Sequence, residues 1–209
     1  LLKIDQAASA DALSNIADSA INVLYKKVEE EMVAQHGHIS SSTMAILAMG
    51  KLGSREMTPE SDLDLVFIYD LPENSGASDG FRPLLPGHYF ARLSQRFITA
   101  MTSQTSEGNL YEVDMRLRPS GTAGPIASSL NSFTQYNDEE AWTWEQMALT
   151  RSRIISAPCD LADKITRIIH TTLTRQRDPD ALLANVVNMR RRMLRTHKTD
   201  FIWDVKHIR

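Results

Sequence analysis

Asp62 and Asp64 stand at the head of an unbroken apolar run, Leu65-Val66-Phe67-Ile68-Tyr69, and that join constrains the fold more than any other feature of the chain. Side chains on a strand alternate faces, so a run that is apolar in both phases needs cover on both sides. The chain must therefore build a sheet with layers above and below it. The same alternation sends Asp62 and Asp64 to one side. Neighbouring carboxylates raise each other's pKa, and a cation between them removes that cost. Hard oxygen donors of this kind suit Mg²⁺, which one or two carboxylates hold together with substrate phosphates. Gly50-Lys51-Leu52-Gly53-Ser54 lies just before the pair and predicts a glycine-bearing turn beside it.

The rest of the chain predicts a mixed α+β architecture. Apolar residues recur at helical spacing over 8–35 (Leu13, Ile16, Ala20, Ile21, Leu24, Val28, Met32), and Gly37 is a stop signal. Met44-Ala45-Ile46-Leu47-Ala48-Met49 predicts a buried strand, and 53–61 has room for a helical turn. Residues 71–87 are rich in Pro, Gly, Ser and Asp and predict a mobile surface loop. Residues 89–101 predict an amphipathic helix with Phe90, Leu93, Phe97 and Ile98 inward. Residues 110–117 alternate strictly and predict a strand, followed by a turn-rich stretch over 119–125. Helices are then expected over 130–150, 160–176 and 180–198. The expected division is a catalytic domain with an N-terminal helix over 1–128 and a helical domain over 129–209.

Bulk properties exclude several classes. A net charge of −3 over 209 residues gives no overall drive towards nucleic acid. The single cysteine, Cys159, rules out an internal disulfide and fits a reducing cytoplasm. Apolar runs fall short of a membrane span. Leu1 at the start and the abrupt stop at Arg209 suggest a piece cut from a longer protein.

A third carboxylate turns the aspartate pair into a candidate site. In Tyr111-Glu112-Val113-Asp114-Met115-Arg116-Leu117-Arg118, the odd positions are apolar and face a core. Glu112, Asp114, Arg116 and Arg118 share the other face. If this strand pairs beside the Asp62 strand, Asp114 joins the first two carboxylates. Three carboxylates can hold two metal ions, and flanking arginines can hold phosphate oxygens. That set suits in-line nucleotidyl transfer.

These segments resemble a known family. Gly50-Lys51-Leu52-Gly53-Ser54-Arg55-Glu56, Ser61-Asp62-Leu63-Asp64-Leu65 and Tyr111 through Gly121 closely resemble the glutamine synthetase adenylyltransferase/adenylyl-removing enzymes. Those belong to the DNA polymerase β-like nucleotidyltransferase superfamily. The resemblance extends through Glu140-Ala141-Trp142-Thr143-Trp144-Glu145, Ala148-Leu149-Thr150-Arg151-Ser152-Arg153 and Trp203-Asp204-Val205-Lys206. It implies a nucleotidyltransferase fold, a small mixed sheet flanked by helices and followed by a helical domain. It also implies Mg²⁺ on Asp62, Asp64 and Asp114, ATP as substrate, a tyrosine of glutamine synthetase as acceptor, and contact with a PII-type signalling protein. Asp114 would orient or deprotonate that tyrosine. Ser54 stands where many relatives have glycine. Family members carry two such units, one removing AMP by phosphorolysis and one adding it. The residues around Asp114 and Trp142 resemble the adding unit.

By the same resemblance Gly53 and Ser54 would cradle phosphates, with Arg116, Arg118, Arg151 and Arg153 as further contacts. Lys51 and Arg55 are either phosphate contacts or solvated. Glu145, Arg151 and Arg153 either serve the site or tie a helix to the sheet by ion pairs. Asp204 and Lys206 would complete its rim. Trp142 and Trp144 cannot share one helix face, so one is expected in the core. Arg190-Arg191-Arg192 with Arg195, His197 and Lys198 wraps more than one helix face and predicts a solvated or partner-facing surface. Other activities left open are AMP removal, uridylyl transfer to PII-type proteins, and nucleotide sensing without catalysis.

Overall fold

The computed structural model describes residues 5–196. Trp203, Asp204, Val205, Lys206, His197 and Lys198 lie outside the described residues. A helix of 31 residues, α1 (Gln6–His36), opens the described chain, capped by Asp5 at its start and by Gly37 at φ 71° at its end. Its buried face is Ser14, Ala17, Ile21, Tyr25, Val28, Met32 and His36. Ile16, expected inward, is exposed, because the buried stripe is offset by one position in the first turns.

β1 (Thr43–Ala48) and β2 (Leu63–Asp70) form the antiparallel centre of a five-stranded mixed sheet. A short helix, α2 (Gly50–Gly53), makes the turn out of β1, earlier than the expected 53–61. α3 (Pro86–Thr102) carries the chain back to the start of β2, as a parallel neighbour requires. There β3 (Val113–Asp114) pairs with Leu63 and Asp64, and β4 (Ala127–Ser129) pairs further along the same edge with Phe67, Ile68 and Tyr69.

The expected strand over 110–117 is thus only two residues long. After Asp114 the chain turns, and Arg116 donates its backbone N–H to the Asp114 carboxylate at 2.8 Å. Tyr111, Val113 and Met115 pack on one core, whereas Leu117 crosses to the other. Local turn bonds overrode the alternating pattern.

The expected helix over 130–150 is also broken. α4 (Leu130–Gln135) runs into a π turn at Tyr136–Glu140, the chain extends at Ala141 and Trp142, and α5 (Thr143–Ala148) ends in a 3₁₀ turn at Leu149–Arg151. Trp142 and Trp144 are both exposed, at 63% and 41%, so neither supplies the core residue expected of one of them. Arg151 closes the 3₁₀ turn, and Arg153 begins a strand rather than lying in a helix. That strand, β5 (Arg153–Ser156), pairs antiparallel with β1. α6 (Cys159–Thr174) and α7 (Pro179–Thr196) follow close to the expected bounds.

Two cores sandwich the sheet. Leu63, Leu65 and Phe67 pack on α1 and α3, with the Phe67 and Phe97 rings 5.7 Å apart and edge-on. Val66 and Ile68 pack on the opposite side with Phe133 of α4 and Leu161 and Ile165 of α6. Alternation puts Asp64 in the phase of Val66 and Ile68, at the open start of that second face. The surface segment over 71–87 is tied down at its centre: His38 donates its backbone N–H to Asp79 at 2.6 Å, and buried His36 meets the Arg82 carbonyl at 2.6 Å. Among the described residues no helix is long and apolar enough to cross a membrane.

Candidate active site

The register between β2 and β3 builds the site. Asp64 and Asp114 are direct partners across the two parallel strands. Asp62 sits two residues before Asp64, just ahead of β2 and exposed. Burial, then the neighbouring Asp114 and Asp62 charges, push the Asp64 carboxyl above the usual range, against the pull of Arg116 and Arg151. Asp114 behaves oppositely. The Arg116 side chain holds it below the usual range, with Nε and Nη2 contacts of 2.7 and 2.5 Å to Oδ2. Thus one carboxylate of the pair is electrostatically burdened, and the other already carries a cation.

The glycine turn packs against this pair. Gly50 adopts φ 55°, and a Cβ on it would lie 2.3 Å from Asp64 Oδ2, so only glycine lets the turn close over that carboxylate. A Cβ on Gly53 would lie 2.0 Å from the Arg151 carbonyl oxygen, so Gly53 admits the segment leading into β5. Gly53 and Ser54 donate their backbone N–H groups within the turn, to Met49 and Gly50. The resemblance implies that Gly53 and Ser54 cradle phosphates; in this conformation both backbone N–H groups are used inside the turn, and the turn also presents side chains. Ser54 Oγ accepts from Arg151 at 2.8 Å and donates to Glu56 at 3.0 Å, and Glu56 also accepts from Arg151. Glu56 thus gathers a hydroxyl and a guanidinium beside the carboxylates. Its position two residues past Ser54 was visible in the sequence, but nothing there assigned it a partner 95 residues away.

The comparisons with known proteins bear on the same residues. A family model described as glutamate-ammonia ligase adenylyltransferase matches residues 2–168. The chain belongs to that family. It is 49% identical over 196 residues to the bifunctional glutamine synthetase adenylyltransferase/adenylyl-removing enzyme of Bradyrhizobium sp. (strain ORS 278), covering 94% of this chain and 20% of the relative. It is 43% identical over 205 residues to the protein of the same description from Xanthobacter autotrophicus, covering 98% of this chain and 21% of the relative. The chain spans about a fifth of the length of the curated relatives it matches.

In this member of the glutamate-ammonia ligase adenylyltransferase family, the arginines singled out from sequence divide into two groups. Arg116 and Arg151 lie close enough to Asp64 to influence its charge. The other three spend their hydrogen bonds elsewhere, although the Arg118 charge still helps hold Asp114 low. Arg118 donates to the carbonyls of Met115 at 2.7 Å, Gly124 at 3.3 Å and Thr122 at 3.4 Å, folding the loop after β3 on itself. Arg55 and Arg153 both reach α1. Lys51 meets Thr58 at 3.3 Å.

Glu145 serves the scaffold. Its carboxylate accepts from the Trp142 backbone N–H at 2.9 Å, capping α5, and from the Tyr136 hydroxyl at 2.7 Å. The backbone of Ser120, at φ 59° in the loop after β3, lies near enough to the same hydroxyl to pull its pKa down. Burial, then the Glu145 bond, push the Tyr136 phenol up to about 12. It therefore stays protonated and keeps donating.

Asp62, Asp64 and Asp114 offer oxygen donors only, the kind magnesium takes. Among the described residues, no three acidic, histidine or cysteine side chains are gathered closely enough in this conformation to hold a metal ion.

Proposed function

We propose that this chain is a nucleotidyltransferase domain that moves AMP from ATP to a tyrosine of glutamine synthetase. The observation that carries the proposal is the register that pairs Asp114 with Asp64, with Asp62 two residues before Asp64. The relatives' descriptions name both adenylyl transfer and adenylyl removal on glutamine synthetase. The resemblance of Tyr111-Glu112-Val113-Asp114, Arg118-Pro119-Ser120-Gly121 and the segment around Trp142 to the adding unit supports the forward direction.

In that reaction the tyrosine oxygen attacks the α-phosphorus of ATP, the bond from that phosphorus to the β-bridging oxygen breaks, and pyrophosphate leaves. The phenol has an ordinary pKa of about 10 and gives its proton to the carboxylate cluster. Magnesium bound by Asp62, Asp64 and Asp114 would neutralise charge on the α-phosphate and the departing pyrophosphate. Asp114 is a poor proton acceptor while Arg116 holds it, so its work in that state is to orient. Arg151, kept beside Ser54 by Glu56, would hold phosphate oxygens. Arg116 offers a second guanidinium once it leaves Asp114.

Direction is tested by presenting the chain with adenylylated glutamine synthetase and phosphate, and separately with unmodified glutamine synthetase and ATP. AMP incorporation from ATP is the expected result. ADP release from the adenylylated protein, without incorporation in the second reaction, would overturn the forward assignment.

A further inference from the structure

We propose that Asp18 of α1 is a positioning residue for the active-site turn over 50–57, acting through Arg55 and Arg153. This rests on the functional reading above. Asp11, Asn15 and Asp18 lie at i, i+4 and i+7, along one face of α1. Arg55 reaches all three: Nε to Asp11 at 2.8 Å, Nη2 to Asn15 at 2.7 Å and Nη1 to Asp18 at 3.5 Å. Arg153 grips Asp18 with both terminal nitrogens, each at 2.9 Å, and gives Nη2 also to the Leu52 carbonyl at 3.0 Å.

Asp18 is therefore the hub. One carboxylate, 20% exposed, faces two guanidiniums. Each leads to a different segment of the site, Arg55 to the turn after α2 and Arg153 to β5. Arg55 is the residue after Ser54, and Arg153 is two residues after Arg151, whose guanidinium meets Ser54 Oγ. Arg55 also sits at φ 60°, a conformation that non-glycine residues adopt only when held. The hold comes from its three contacts on α1. Among the described residues Arg153 Nε is buried without a partner, so its terminal nitrogens carry the polar contacts seen there. Without the Asp18 charge, two cations would face each other and the turn would lose its anchor. Gly50 would then drift from Asp64, and Ser54 from Arg151.

A turn that grips phosphates equally before and during transfer contributes uniform binding, so its loosening raises KM more than it lowers kcat. The test compares the wild-type chain with Asp18→Asn and Asp18→Glu. ATP affinity is measured by calorimetry without acceptor, and kinetics with glutamine synthetase. Backbone amide exchange is followed over 53–56 and over α3. Asp18→Asn is expected to weaken ATP binding and raise KM about tenfold, with kcat within about threefold, since small misplacements of binding groups cost on that scale. Exchange over 53–56 speeds up while α3 is unchanged, and Asp18→Glu restores part of each effect. Wild-type ATP affinity with wild-type exchange over 53–56 in Asp18→Asn overturns the proposal. So does faster exchange throughout α3, which marks general destabilisation. If Asp18→Asn does not fold, Arg55→Gln leaves the Asp18–Arg153 pair intact and must show the same loosening over 53–56. Wild-type chain that binds no ATP would refute the functional reading, while the exchange comparison would still decide the role of Asp18.

Discussion

The two walls of the site are built in opposite ways. The glycine-turn wall is held from afar. Arg153 meets Asp18 across 135 positions of sequence, Arg151 meets Ser54 across 97, and Arg55 meets Asp18 across 37. The wall after β3 is held mostly by itself. Asp114 binds Arg116 two positions on, and Arg118 binds carbonyls three to six positions away. Across a longer range, its Ser120 backbone lies near the Tyr136 hydroxyl. The first wall is thus a fixed surface, and the second can rearrange at little cost. A site that must accept and release charge needs both: a rigid frame for phosphates and an arginine able to leave its carboxylate.

The largest expected effect sits where the walls meet. Asp64→Asn should cut AMP transfer by roughly 100- to 1,000-fold, the scale seen when one preorganised electrostatic contact to a transition state is removed. The same variant should be slightly more stable than wild type in metal-free buffer at neutral pH. Because the Asp64 carboxyl sits above the usual range, the native state holds its proton to higher pH than the unfolded chain does. Stability therefore falls as pH rises between the two values, and above both the ionised carboxylate is a standing cost. The melting difference should close as pH drops through the raised value towards the ordinary value of about 4. A melting temperature below wild type at neutral pH would contradict this electrostatic account.

A smaller effect tests the self-contained wall. Tyr136→Phe removes the hydroxyl that donates to Glu145 and lies near the Ser120 backbone, and should cost about 1 kcal/mol, or roughly 2–4 °C in Tm for a chain of this size. Faster amide exchange should follow at 120–124 but not at 53–56. Loosening of both segments would show that the walls are not independent.

The smallest effect is at Arg116, whose side chain is 77% exposed. Arg116→Gln should change Tm very little, as exposed ion pairs contribute about 0–1 kcal/mol. Manganese binding without nucleotide, followed by electron paramagnetic resonance, should tighten a few-fold, because the resident cation is gone. Binding of the metal–ATP pair should weaken instead. Shifts of the same sign in both titrations would refute the view that Arg116 exchanges Asp114 for phosphate.

The legibility of these features in the sequence followed their range. β2 was plain because burial on both faces leaves an unmistakable apolar run. Asp64 and Asp114 were legible as candidates because each heads or lies within a strand of clear phase. The limits of β3 were not, since the Asp114–Arg116 turn bonds leave the alternation of 110–117 intact while ending the strand. β4 and β5 are three and four residues long and carry too little pattern to stand out. The fate of Arg55, Arg118 and Arg153 was hidden for a different reason. A guanidinium suits a phosphate, a carboxylate or a carbonyl equally well, and only the fold decides which one it meets. The Asp11, Asn15 and Asp18 face of α1 was present as helical spacing, but a polar helix face ordinarily means solvent.

The most direct measurement is label transfer from ATP carrying radioactive phosphorus at the α position, with Mg²⁺ and purified glutamine synthetase. The account predicts acid-stable label on a glutamine synthetase tyrosine with wild-type chain, no label when the isotope is at the γ position, and loss of transfer in Asp64→Asn. Undiminished α-label transfer by folded Asp64→Asn, or γ-label on the acceptor, would contradict it.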